Sequence, residues 1–280
     1  MHETWPGSSG PHHLSFAPAA PRVHLSCSPC SGMPRFSSVV FDCDSTLSSI
    51  EGIEALAAAH RAEVAALTDA AMRGEVPLEQ VYGRRLALVR PTRARLEALG
   101  QEYIDALVSD AREVIGALRA SGVAVRIVSG GLRPAVVALA RSLGVPDGDV
   151  AAVDIHFGPG GEYAGFDERS PLARSGGKRA VLERWAGSLP RPIMFVGDGA
   201  TDLEAQPLVD CFVAFAGVIE RPAVIVAADV VVRAASLAPI LALALGDDPP
   251  DDPDHRATFT RGRALLQAGD RPRALNSPPA

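Results

Sequence analysis

Five short apolar runs divide this chain, and none of them alternates with polar residues: 37–41 (SSVVF), 123–128 (VAVRIV), 193–196 (IMFV), 211–215 and 229–232. A strand that reads as continuous apolar sequence is buried on both faces. Such strands, separated by stretches of helical period, predict a parallel sheet covered by helices on each side. In sheets of this kind the ligand sits beyond the carboxyl ends of the strands. The first three runs each end in a group that can do chemistry: Asp42 after the first, Ser129 after the second, and Gly197-Asp198 after the third.

Residues 50–112 interrupt the alternation. They carry helical periodicity (Ile53, Leu56; Val64, Leu67; Leu86, Val89; Leu96, Leu99, Ile104, Leu107) and no strand signal. A single crossover needs only about a dozen residues, so this span predicts a small helical domain between the first and second strands. The core is then 36–49 together with 113–246. Residues 1–35 are rich in Pro, Ser, His and Gly without hydrophobic period and are expected to be a disordered extension, with Met33 as the start of the fold. A plastid-type transit peptide is the alternative for this leader, which is poor in acids but poor in Arg as well. Residues 247–280 open on DDPPDDPD and are expected to be a disordered tail with one frayed helical turn near Arg263–Gln267.

Composition narrows the function. Of 280 residues 47% are hydrophobic, enough for a sizeable core, and the formal net charge is −6. No basic block is long enough for a nucleic-acid footprint, and aromatics at 5% are too few for a base-stacking platform. The most apolar stretch, 230–245, includes Arg233 and is shorter than the roughly 20 residues of a spanning helix. Cys27 and Cys30 form a lone C-x-x-C, a weak zinc signal without further ligands. The expectation is a cytoplasmic protein without nucleic-acid or membrane partners, either a monomer or a homodimer.

Four motifs carry the chemistry. Asp42-Cys43-Asp44-Ser45-Thr46 places two carboxylates at i and i+2 on a loop leaving a strand, one suited to nucleophilic attack and metal binding, the other to proton transfer. Ser129-Gly130-Gly131 offers a hydroxyl and free backbone N–H groups to a phosphate. In Ser175-Gly176-Gly177-Lys178 a lysine opens a helix, where the dipole disfavours it, so an anion is expected nearby. Asp198 and Asp202, in GDGATD, suit the oxygen coordination of Mg²⁺. Each motif alone is common in plain turns; all four at the ends of strands or starts of helices in one sheet are not.

In this order the motifs resemble the haloacid-dehalogenase superfamily of phosphotransferases, over roughly Phe36 to Leu245. The resemblance is closer to its phosphoserine-hydrolysing branch at Glu51-Gly52-Ile53, Met72, Val76-Pro77, RLAL at 85–88, GEYAGFD at 161–167 and VGDGATDLEA. It implies an α/β fold, a Rossmann-like parallel sheet flanked by helices, with a small helical (type C1) cap inserted after the first strand. It also implies an Mg²⁺-dependent hydrolase that takes O-phospho-L-serine to L-serine and phosphate through an aspartyl-phosphate, the last step of serine biosynthesis. Asp42 would be the nucleophile and a metal ligand. Asp44 would be the acid–base and lend its backbone carbonyl to the metal, and Asp198 would be the third metal ligand, with Asp202 orienting it. Ser129 and Gly130 would hold phosphoryl oxygens and Lys178 would neutralise the aspartate–phosphate pair. Glu51 would take the substrate ammonium, Arg85 its carboxylate, and Met72 would line the pocket. Thr201 and Arg221 fall where the family has residues close to the substrate. The chain departs from the family pattern at Arg73, commonly glycine, and at Leu78, frequently aromatic. Alternatives are another small phosphomonoester, transfer to an alcohol acceptor, and a non-catalytic binding or regulatory protein on the same fold.

Overall fold

The computed structural model describes residues 34–57, 60–73 and 75–269. Expectations for Cys27, Cys30, Met33 and the rest of the leader lie outside the described residues. Six strands, all parallel, form the central sheet: β1 (Ser38–Phe41), β2 (Ala124–Leu132), β3 (Val150–Val153), then β6 (Ile193–Gly197), β7 (Cys211–Phe215) and β8 (Val230–Val232), in spatial order β3-β2-β1-β6-β7-β8. The antiparallel hairpin β4 (Ile155–Phe157) and β5 (Tyr163–Phe166) stands apart. β1 is central and fully buried, as is β6 beside it. Their register pairs Phe41 with Val196, so the residues after each strand, Asp42 and Asp198, emerge side by side.

Among the described residues five helices and no strand lie between β1 and β2, and the first four make up the helical insertion: α1 (Gly52–Leu56), α2 (Arg61–Met72), α3 (Leu78–Val89) and α4 (Arg93–Asp105). Their apolar positions Leu56, Val64, Ala71, Val81, Leu86, Leu96 and Leu99 are buried. The Thr92 side chain caps α4 by accepting from the Arg95 N–H. The core helices are α5 (Ala111–Ala120), α6 (Arg133–Ser142), α7 (Gly177–Trp185), α8 (Ala200–Leu203), α9 (Pro222–Ala227) and α10 (Ala238–Leu245). Among the described residues no helix is long and apolar enough to cross a membrane.

Two segments differ from the sequence expectation. β2 does not stop at Val128 but runs extended through Ser129-Gly130-Gly131 to Leu132, with its pairing to β3 shifting register there. The 247–280 segment is not a tail throughout, because α11 (Pro253–Gly269) is a 17-residue helix. The cause is tertiary. α10 is apolar on nearly all sides and needs cover; α11 supplies it with Phe259 (3% exposed), Thr258 and a partly buried Leu266. Gly262 permits the close approach, since a Cβ there would meet the Ala238 carbonyl oxygen at 2.1 Å. Arg261 pairs with Asp110, just before α5. Such a narrow stripe on an acidic, proline-flanked segment is weak as sequence and strong only beside its partner.

Candidate active site

The loop after β1 turns tightly at the sheet edge. The Cys43 carbonyl accepts from the N–H groups of Thr46, Leu47 and Ser48, and Ser45 adopts φ +52°, an uncommon conformation for a non-glycine residue. The Asp42 N–H donates to the Val196 carbonyl at 2.9 Å, which anchors the loop to β6. Ser45 Oγ donates to Glu51 Oε1 at 2.7 Å, so the turn also aims the first carboxylate of the helical insertion.

The lysine expected to need an anion has two. Lys178 Nζ lies 2.8 Å from Asp42 Oδ1 and 2.5 Å from Asp202 Oδ1, all three groups buried. Burial alone lowers a lysine, but Asp202 and then Asp42 outweigh it and hold Lys178 charged above its usual range. Asp42 itself is pushed well above the usual carboxylate range, first by burial and then by Asp202, against the pull of Lys178. Asp198 rises to about 6, from burial and Asp202, against Arg221. Arg221 Nε donates to Asp198 Oδ2 at 2.9 Å and its other nitrogens approach Glu51 (3.5 Å) and Asp69 (3.8 Å). Arg221 therefore braces carboxylates from the core and from the helical insertion.

Asp44 faces the other way. Its Oδ1 accepts from the Tyr103 hydroxyl and the Gly52 N–H, both at 2.6 Å, and its Oδ2 accepts from Ser129 Oγ at 3.2 Å. Ser129 lies behind the cavity wall, its oxygen also accepting from the Gly131 N–H at 2.9 Å. The cavity, about 50 Å³, is lined by Asp42, Asp44, Gly130, Lys178, Asp198 and Thr201 from the core and by Glu51, Tyr82 and Arg85 from the helical insertion. Arg85 is 4% exposed. One terminal nitrogen donates to Thr68 Oγ1 at 3.1 Å, its Nε is buried without a hydrogen-bond partner, and its guanidinium lies 5.3 Å over the Tyr82 ring. Glu51, squeezed by burial and by Asp44 and Asp198, is pushed up to about 8.

Of the residues singled out from sequence, Asp202, Ser129 and Arg221 stand behind the lining. The Met72 and Leu78 side chains lie outside the described residues. Arg73 is exposed and paired with Glu75 at 2.6 Å. Sequence reading missed Tyr82, whose hydroxyl donates to the Gly130 carbonyl at 2.8 Å, and Tyr103. It also missed Glu79, which accepts from the N–H and hydroxyl of Ser175, and Glu204, which accepts from the Gly176 N–H at 2.8 Å. The available signal for the tyrosines was a phenol in a helical core stripe, because a buried hydroxyl needs a partner.

The donor set suits a metal ion. Carboxylate atoms of Asp42, Asp198 and Asp202 lie within 4.8 Å of one another, all buried. With Asp44 and Glu51 beside them, these acids outnumber Lys178 and Arg221, and burial first, then Asp202, pushes Asp42 and Asp198 upward. Both Asp202 oxygens are already engaged, one by Lys178 and one by the Gly199 N–H at 2.8 Å. The Asp44 carboxylate is not among the three acids of this cluster.

Residues 36–206 match the haloacid dehalogenase-like hydrolases, and this chain belongs to that family. Within it, a phosphoserine phosphatase of Bos taurus is 40% identical over 186 residues, spanning 65% of this chain and 83% of its own length. A solved structure of a phospho-aspartyl intermediate analogue of phosphoserine phosphatase is 28% identical, with a TM-score of 0.64 over 73% of this chain and 97% of that one. A substrate-bound phosphoserine phosphatase complex is 26% identical, with a TM-score of 0.65 over 73% and 96%.

Proposed function

We propose that this chain is a magnesium-dependent phosphoserine phosphatase working through an aspartyl-phosphate on Asp42. The observation that carries it is the position of Asp42 at the end of the central strand, 2.8 Å from Lys178 and within the Asp198–Asp202 cluster. There a phosphoryl group meets a nucleophile and a fixed cation at once. Asp42, Asp198 and the Asp44 main chain would hold Mg²⁺, which would supply charge neutralisation to the phosphoryl oxygens. Asp42 attacks phosphorus, and Asp44 gives a proton to the departing serine oxygen as the P–O bond breaks. Asp44 then takes a proton from the water that hydrolyses the acyl phosphate, releasing phosphate and free Asp42. Lys178 keeps the aspartate–phosphate pair neutralised, and Ser129, Gly130 and Thr201 hold the phosphoryl oxygens.

Residues 50–112 act as the cap over this site. There Glu51 takes the ammonium, Arg85 the carboxylate, and Met72 a side of the pocket. A zwitterionic head needs one fixed charge of each sign, and the buried donor of Arg85 without a partner is suited to an incoming carboxylate. The enzyme acts in the cytoplasm, as a monomer or homodimer, at the step that yields serine. A panel of small phosphomonoesters assayed for phosphate release tests the reading: phosphoserine ranks among the best by kcat/KM, Mg²⁺ is required, and Asp42→Asn is inactive. Activity surviving in Asp42→Asn, or phosphoserine ranking low, overturns it.

A further inference from the structure

The general acid of this site is held by two groups that belong to neither the phosphate cradle nor the metal cluster. Tyr103, on α4, is fully buried and donates its hydroxyl to Asp44 Oδ1 at 2.6 Å; the N–H of Gly52, the first residue of α1, donates to the same oxygen at 2.6 Å. A carboxylate oxygen has two in-plane lone pairs, and here both are taken. A Cβ at position 52 would meet the Tyr103 hydroxyl oxygen at 1.9 Å and its ring carbon at 2.7 Å. Position 52 therefore accepts only glycine if the tyrosine is to reach Asp44. Gly52 and Tyr103 come from the two ends of the helical insertion, so the insertion clasps the acid from both sides.

We propose that Tyr103, admitted by Gly52, is the positioning residue that assigns the two oxygens of Asp44 to different tasks. Oδ1 is the fixed end. Oδ2 is the working end, the oxygen that passes the proton to the serine oxygen as the P–O bond to it breaks and the Asp42–phosphorus bond forms. Ser129 Oγ holds Oδ2 at 3.2 Å until a phosphoryl oxygen competes for the hydroxyl. Without Tyr103 the carboxylate can rotate about its Cβ–Cγ bond and the proton is no longer aimed.

The inference rests on the phosphatase reading and makes a demand that a purely structural tyrosine does not. An alkoxide leaving group needs a proton and a carboxylate leaving group does not. In the full chain with Mg²⁺, Tyr103→Phe keeps the ring and its packing, and kcat/KM for phosphoserine is expected to fall roughly 10–100-fold. For acetyl phosphate, small enough for the same cavity and with acetate as leaving group, the fall is expected to stay under about threefold. Gly52→Ala reproduces the split by displacing the tyrosine. An equal loss on both substrates, or no loss on phosphoserine, overturns the role of Tyr103. Wild-type chain inactive on phosphoserine overturns the phosphatase reading instead, so the two failures are distinct.

Discussion

At the scale of single residues, the site is organised by which charges are left over. Lys178 is satisfied twice, by Asp42 and Asp202, and Arg221 is satisfied by Asp198 and Glu51. Arg85 is different: it is almost fully buried, yet one side-chain nitrogen has no hydrogen-bond partner. An orphaned donor of this kind costs about 1–3 kcal/mol unless a ligand fills it. Arg85→Ala should therefore raise KM for phosphoserine roughly 10–100-fold. It should change KM for phosphoethanolamine, which lacks the carboxylate, by under about threefold. Steady-state kinetics on the two esters decide it, and equal effects would show that Arg85 does not meet the carboxylate.

At the scale of elements, legibility followed how local each signal was. β1, β6 and β7 could be read to within a residue because a short uninterrupted apolar run between helical stretches fits a buried strand of a parallel sheet. The motifs that converge on the cavity were equally legible, since each is contiguous. Contacts between distant segments were not: Tyr103 to Asp44 spans 59 positions and Glu79 to Ser175 spans 96. The same blindness hid α11, whose contacts only make sense against α10, α5 and the residue before α5. If α11 is part of the folded unit, Phe259→Ala should lower stability by about 3 kcal/mol in denaturant titration. Phosphatase activity below the transition should be unchanged, as Phe259 does not line the cavity. A loss under about 0.5 kcal/mol would mean that α11 is not anchored.

At the scale of the whole molecule, the fold buries a cluster of carboxylates in a chain already at net charge −6, and this couples stability to pH and to metal. Glu51 shows the sign. Its ordinary value is 4.5, and in the folded chain burial, then Asp44 and Asp198, push it up to about 8. The folded state therefore binds a proton that the unfolded state has already shed between these two values. Its contribution to stability is full below about pH 4.5 and is lost as pH rises through about 8. In the presence of EDTA, the denaturation midpoint should fall on going from pH 5 to pH 8.5, roughly through the Glu51 window. Glu51→Gln keeps a neutral group at that position and should remove part of the slope, leaving the variant about 1–2 kcal/mol more stable than wild type at the alkaline end. A bound Mg²⁺ would supply the charge the cluster lacks: at about 100 times its dissociation constant it should add about 2.7 kcal/mol, or roughly 5–10 °C in Tm. That gain should shrink in Asp198→Asn, while a pH-independent midpoint in EDTA, or the same Mg²⁺ shift in Asp198→Asn as in wild type, would show that the buried acids are not what ties this fold to its metal.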